Sequence, residues 1–267
     1  MSTRKALGKP SKKTLIHTQT EHGELWIQQE GDRLQLKFDH QAVQTEIDRE
    51  QPHHLVMTNL RYLMGVLLFI PPPKKILVLG VGGGAIIHFF QHYHPGAEIT
   101  GVDYDAELIA LAHEYLGLPL PGGHFSLVIE DARTFIANST TEFDLIVVDI
   151  FEGSQSPNWM LQPAFLQALK KRLTPSAAIA FNLLIESERR FSQFYQSLGQ
   201  LFTKRTLYLE NDDYENRLVF AINGEIEKRS MEQYLQQCQA LSEQYDVPFA
   251  KILAAMYNLN PLDSGIL

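Results

Sequence analysis

The stretch Lys74-Lys75-Ile76-Leu77-Val78-Leu79-Gly80-Val81-Gly82-Gly83-Gly84-Ala85 constrains the fold more than any other part of this chain. An unbroken Ile/Leu/Val run of this length suits a strand buried on both faces, as in a parallel sheet covered by helices. Glycines at its carboxyl end let the backbone turn tightly and let a ligand approach without meeting a Cβ. Ile86-Ile87-His88-Phe89-Phe90 can then open a helix whose first N–H groups are unpaired and face the same spot. Gly80, Gly82 and Ala85 fit the Gly-x-Gly-x-x-Gly/Ala nucleotide pattern. That match alone is weak, because a tight strand-to-helix turn without a ligand has the same composition.

An alternation of strands and helices follows the turn. Strands are predicted near 76–79, 99–102, 125–129, 143–148, 177–182, 205–209 and 217–222, with helices near 85–93, 106–116, 132–137, 163–172 and 188–201. The last two strands are joined only by 210–216, too short for a helical crossover, so that pair must be antiparallel. The expected architecture is α/β, a doubly wound, Rossmann-like seven-stranded sheet closed by one antiparallel hairpin. Ahead of it, Glu24-Leu25-Trp26-Ile27-Gln28 and Arg33-Leu34-Gln35-Leu36-Lys37-Phe38 flank Glu30-Gly31-Asp32, a hairpin signal that 41–47 extends into a small antiparallel sheet. Residues 53–69 carry helical spacing up to Pro71-Pro72-Pro73, and two helices are expected over 230–244 and 248–257. The predicted organisation is a basic disordered tail (1–13), an N-terminal β-sheet (14–50), a nucleotide-binding domain (51–224) and a C-terminal helical extension (225–267).

Charge narrows the partners. The net charge of −8 conceals five basic residues and no acid among the first 13, and the remaining 18 basic against 31 acidic side chains leave the body near −13. Such a body repels nucleic acid and anionic lipid and favours a cationic small molecule, so no nucleic-acid or membrane partner is expected. The longest apolar run, 63–70, is too short to cross a bilayer. Cys238 is the single cysteine, which excludes an internal disulfide and a cysteine metal site. No apolar h-region follows the basic amino terminus, and a cytoplasmic location is expected. His53 and His54 are adjacent and diverge on a helix, and His88, His92 and His94 suit the surface of a helix end, so no metal is expected.

In an open α/β sheet a ligand sits outside the carboxyl ends of the strands. Several strands here end in acids. Asp103 closes Ile99-Thr100-Gly101-Val102, 23 residues after Gly80, near the separation at which a carboxylate meets a ribose. Asp131 follows Leu127-Val128-Ile129-Glu130 and is placed to reach an adenine amino group. Asp149 follows Leu145-Ile146-Val147-Val148, with Glu152 three residues on. Asp105 precedes a helix and is expected to cap it.

This order of glycine turn, acid on the second strand, acid after the third and acid pair after the fourth resembles the spermidine synthase family. Those enzymes are aminopropyltransferases built on the class I S-adenosylmethionine-dependent methyltransferase fold, and the small sheet ahead of that fold resembles the same family. The resemblance spans about residues 20–224. It implies a nucleoside site formed by Gly80, Gly82, Gly83, Gly84, Asp103, Tyr104, Asp131, Ala132 and Asp149. It implies that Asp149 receives the proton of an amine acceptor, that Glu152 stands for the second acid of an Asp-x-x-Asp motif, and that Tyr214 lines the amine pocket. The implied donor is decarboxylated S-adenosylmethionine or S-adenosylmethionine, with no metal, and a homodimer is expected. The departures fall on the amine half. The family turn reads Gly-Gly-Gly-Asp-Gly-Gly, and its Asp is Gly83 here. The family's Tyr-His-Glu stretch is absent, and Ile150 and Phe151 replace small polar residues. Aminopropyl transfer to a small amine is therefore the leading expectation, with methyl transfer and non-catalytic nucleoside binding as alternatives. A nicotinamide dehydrogenase would use the same turn and Asp103 but needs neither the terminal hairpin nor the later acids.

Overall fold

In the computed structural model of the chain the described residues are 12–20, 23–38, 43–153, 155–211, 214–227, 229–260 and 266, with Asn211 and Tyr214 described by their backbone alone. Two sheets organise them. Four antiparallel strands, β1 (Lys12–Thr20), β2 (Gly23–Glu30), β3 (Arg33–Phe38) and β4 (Val43–Asp48), run in sequential order. The sheet therefore begins at Lys12, two residues inside the stretch expected to be tail. Apolar and polar residues alternate along it, so that Leu25, Ile27, Leu34, Leu36 and Ile47 are buried on one face.

The main sheet contains β5 (Lys75–Leu79), β6 (Glu98–Asp103), β7 (Phe125–Ile129), β8 (Phe143–Val148), β9 (Leu173–Leu183), β10 (Thr206–Asn211) and β11 (Tyr214–Ile222). Their order is β10-β11-β9-β8-β5-β6-β7. The five strands β5 to β9 are parallel, and β11 and β10 complete the sheet antiparallel. The unbroken apolar run of β5 divides between two layers. Ile76 and Val78 join the layer that holds the N-terminal sheet and helices α1 (Thr58–Leu63), α2 (Ala85–Tyr93), α3 (Ala106–Leu111), α7 (Met231–Tyr245) and α8 (Phe249–Leu259). Leu77 and Leu79 join the opposite layer, with α4 (Ala132–Asn138), α5 (Pro163–Lys170) and α6 (Glu188–Leu201).

Two helical segments differ from expectation. Residues 53–57 are not helical; α1 begins at Thr58 and passes into a 3-10 turn over Met64–Leu68. Here α8 presses so closely that a Cβ on Gly65 would lie 2.6 Å from Ile252 Cγ2 and 2.8 Å from Met256 Cε, and the tighter winding keeps this apolar segment buried. The helix expected to run to Leu116 is α-helical only to Leu111 and widens to a π turn over Ala112–Leu116, ended by Gly117 at φ 73°. The histidines are also placed otherwise. His94 is buried and bonded through Nε2 to the Tyr245 hydroxyl at 3.0 Å, and His88 is half-buried. Only His92 is exposed, stacked on His53 with centroids 3.6 Å apart. Among the described residues no helix is long and apolar enough to cross a membrane, and no group of three or more His, Cys, Asp or Glu could hold a metal.

Because β6 and β7 lie on one side of β5 and β8 on the other, the chain reverses its winding at the carboxyl end of β5, where a crevice forms. The glycine turn sits at that point. Gly80 donates its N–H to the Val102 carbonyl (2.9 Å), and Asp149 donates its own to the Leu79 carbonyl (2.8 Å), so three strand ends are tied together. Gly80 has φ 88°, and a Cβ there would lie 2.2 Å from the Asp149 carbonyl oxygen. Gly80→Ala is therefore expected to cost about 2–4 kcal/mol, left-handed strain and overpacking combined. Urea unfolding measures this, and a loss below about 0.5 kcal/mol would contradict the contact.

Candidate functional site

The turn is held from below by a buried carboxylate. Asp103 Oδ2 accepts the N–H groups of Val81 (2.9 Å) and Gly82 (3.0 Å), and Oδ1 accepts that of Asp105 (3.1 Å). Burial raises its pKa even against these three N–H groups. The carboxylate expected to meet a ribose is thus first an internal brace, and a ribose hydroxyl would have to share it. Asp105 caps α3 through Leu108 N–H at 2.8 Å, as its position predicts. Gly82 (φ 51°) and Gly84 (φ 90°) complete the turn, which closes with Gly84 N–H on the Val81 carbonyl at 2.9 Å and leads into α2.

Gly83 is a glycine for a different reason. Its φ is not left-handed, but β4 packs directly on it. A Cβ at 83 would lie 2.4 Å from Thr45 Cγ2 and 2.9 Å from Leu116 Cδ1. Its N–H reaches Thr45 Oγ1 at 3.4 Å. The space an acidic side chain would need is filled by the methyl group of a residue 38 positions earlier, so the departure seen in the sequence has a partner in the N-terminal sheet.

Asp131 is also engaged. It caps α4 through the N–H groups of Arg133 (2.9 Å) and Thr134 (3.3 Å), and both oxygens pair with the Arg133 guanidinium, down to 2.8 Å. That pairing holds its carboxyl below the usual range. An adenine amino group would have to displace or join Arg133. Ala132 is buried as the first residue of α4. Between these acids, Tyr104 and Ile129 expose apolar surface, 44% and 47%, at the ends of the adjacent strands β6 and β7. Ile129 was not expected in the site, since an isoleucine closing an apolar strand carries no mark of its exposure in the sequence.

Glu152 lies in the loop after β8. Its Oε1 accepts Trp159 Nε1–H at 3.1 Å, and the Arg133 guanidinium lies 4.9 Å from the centroid of the same indole. A chain of side chains, Asp131–Arg133–Trp159–Glu152, thus joins the loops after β7 and β8. The side chain of Tyr214 lies outside the described residues.

Asp149 stands beside the turn at the end of β8. Burial pushes its carboxyl up to about 6, opposed by a hydrogen bond from Asn182 Nδ2 to Oδ1 (2.8 Å) and reinforced by the charge of Asp103. Asn182, on β9, is buried and accepts in turn from Asn216 Nδ2 at 2.9 Å. Neither amide was singled out in the sequence, where an Asn in or beside a strand carries no distinguishing pattern. The structure brings the turn, Asp103, Asp131, Asp149 and Glu152 to one edge of the sheet. A shallow cavity of about 520 Å³ lies at the other edge, around Lys74, Asp144 and Thr174, and has no part in this arrangement.

The spermine/spermidine synthase domain model matches residues 59–209. The chain belongs to the spermine/spermidine synthase family. That family's polyamine aminopropyltransferase from Neisseria meningitidis is 27% identical over 239 residues, covering 89% of this chain and 90% of that protein. A probable spermidine synthase from Corynebacterium glutamicum superposes with a TM-score of 0.71 at 17% identity, over 95% of this chain and 98% of that one. Human methyltransferase-like protein 13, solved in complex with SAH, superposes with a TM-score of 0.60 at 23% identity, over 71% of this chain and 89% of its own. Membership makes the chain an enzyme, a transferase of the spermidine synthase type on a methyltransferase-like fold.

Within that family frame, Gly83→Ala is expected to lose about 1–3 kcal/mol through overpacking against Thr45. Combined with Thr45→Gly, the change should cost less than the sum of the single changes, with a coupling of about 1 kcal/mol in a double-mutant cycle. Additive losses would show that β4 does not restrict residue 83.

Proposed function

We propose that the chain transfers an aminopropyl group from decarboxylated S-adenosylmethionine to a small amine, with Asp149 as the base. The observation that carries this reading is the pairing, at one reversal point of the sheet, of a glycine turn with a raised carboxylate beside it. The residues present fit the donor's nucleoside. The turn offers backbone without Cβ atoms, Tyr104 and Ile129 offer apolar surface to a flat ring, and Asp103 keeps the turn in shape.

The chemistry asked of the protein is modest. The amine lone pair forms the new N–C bond while the C–S bond breaks and its electron pair returns to sulfur, leaving a neutral thioether. Alignment of the two partners supplies most of the acceleration. An ammonium ion has no lone pair, so it must first give a proton to a carboxylate within reach, which later passes it to water. Asp149 suits that task, since a group near 6 is ionised at neutral pH yet basic enough to accept. Glu152, bonded to Trp159, is read as part of the wall of the acceptor side, and Tyr214 as a further lining residue. The reading includes a cytoplasmic location and pairing of two copies; Met231 and Leu235, exposed one turn apart on α7, support pairing, whereas Cys238 on the same helix is buried in the core.

Methyl transfer from S-adenosylmethionine is the second reading. The observation favouring it is Gly83, where the absence of an acid removes repulsion toward a donor carboxylate. Calorimetry with methylthioadenosine, decarboxylated S-adenosylmethionine and S-adenosylmethionine separates the two. Tighter binding of the decarboxylated donor, lost in Asp103→Ala, is expected; preference for the carboxylated donor would transfer the assignment to methyl transfer.

Asp149→Asn should bind methylthioadenosine as before and lose turnover. For the parent enzyme kcat/KM should fall about tenfold per pH unit below about pH 6, as the carboxylate becomes protonated. The linkage to stability has the opposite sense. A carboxyl raised in the folded state contributes stability below its ordinary value of 3.8 and loses that contribution as pH rises through about 6. Asp149→Asn should therefore raise the thermal midpoint at pH 7, and a lowered midpoint together with a flat pH profile would remove Asp149 as the strained base.

A further inference from the structure

Two uncharged side chains, one and two strands away, link to the Asp149 carboxyl in series. Asn182 Nδ2 donates to Asp149 Oδ1 at 2.8 Å, and Asn182 Oδ1 accepts from Asn216 Nδ2 at 2.9 Å. Asn182 is 1% exposed, so water cannot substitute for either bond without reorganising the sheet. Among the described residues Asp149 Oδ2 has no hydrogen-bond partner.

An isolated Asn beside a carboxyl group can face it in two ways. With its NH2 toward the carboxyl it stabilises the ionised form; with its oxygen toward the carboxyl it stabilises the protonated form as acceptor. In the structure Asn216 presents its NH2 to the Asn182 oxygen, which turns that oxygen toward β11 and the Asn182 NH2 toward Asp149.

We propose that Asn182, oriented by Asn216, is the positioning residue of the transfer reaction: it holds Asp149 Oδ1 and leaves Oδ2 as the single atom that accepts the amine proton. This rests on the reading of Asp149 as the base. The relay has two effects on the reaction. It keeps the carboxylate ionised at neutral pH in a place where burial and the neighbouring Asp103 favour protonation. It also fixes the carboxylate plane, since rotation about the Cβ–Cγ bond would break the bond to Asn182. The proton balance is simple. Oδ2 takes one proton from the ammonium, the freed amine attacks, and the neutral carboxyl returns the proton to water after the thioether has formed.

Asn182→Leu and Asn216→Ala test this with readouts that a general packing role would not move together. The Asp149 carboxyl carbon is titrated by NMR in each protein, the pH profile of kcat/KM is recorded, and methylthioadenosine binding is measured alongside. Loss of one neutral donor should raise the Asp149 midpoint by about one unit in Asn182→Leu. A smaller rise in the same direction is expected in Asn216→Ala, which sits at a half-buried position and keeps the fold testable. The acid limb of kcat/KM should move upward by the same amount, with nucleoside affinity changed less than twofold. An Asp149 midpoint unchanged in both variants would overturn the inference. A midpoint that moves while the acid limb stays in place would instead overturn the assignment of Asp149 as base, and leave the hold of the two amides on its carboxylate standing.

Discussion

The approach of residue 80 to the Asp149 carbonyl is the constraint on which the site depends. Two neighbouring parallel strands end at the same level, and the chain leaving one must pass over the end of the other with no room for a Cβ. A glycine with positive φ solves the steric problem, and in doing so it sets the turn and the Asp149 carboxylate side by side. The hydrogen bonds from Gly80 to β6 and from Asp149 to β5 then make three strand ends one rigid unit. Groups that must cooperate within a few ångströms are thus positioned by strand pairing, without reliance on the loops that follow.

Around that unit, charge is arranged unequally. Asp103 and Asp131 are both answered by the protein itself, the first by three backbone N–H groups and the second by a helix end and Arg133. Among the described residues Asp149 has one neutral donor and an oxygen without a hydrogen-bond partner, and its carboxyl is pushed up to about 6. Carboxylates of one residue type, crowded at one end of the sheet, are separated by the partners each receives into two held ionised or braced and one that favours its proton, the one proposed as the base. The same separation has a cost in stability, since a carboxylate held in a place that favours its protonated form weakens the fold at neutral pH.

The architecture was largely legible in the sequence because its signals are strong and local. Continuous Ile/Leu/Val strands, glycines after the first of them and a connection too short for a crossover specify a doubly wound sheet with an antiparallel end, and the strand at 143–148 was located to the residue. What failed were segments decided by tertiary packing. The helical spacing over 53–69 is realised as α-helix only over Thr58–Leu63, passing to a 3-10 turn where α8 packs on Gly65, and the surface histidines proved to include His94, sealed against Tyr245. The site was legible as a set of acids and illegible as a set of roles. The surroundings that distinguish these positions come from far along the chain, Thr45 against Gly83 and Asn182 beside Asp149. Separations of 33 and 38 residues leave no periodicity for a single sequence to display.

The central claim is that this edge of the sheet is an adenosyl-nucleoside site with its thioether beside Asp149. A crystal structure of the protein with methylthioadenosine tests it directly. The account predicts the nucleoside lying across the carboxyl ends of β5, β6 and β7, the ring against Tyr104 and Ile129, and the sulfur on the Asp149 side of Gly80. A nucleoside bound at any other surface, with Gly80 to Gly84 untouched, would contradict it.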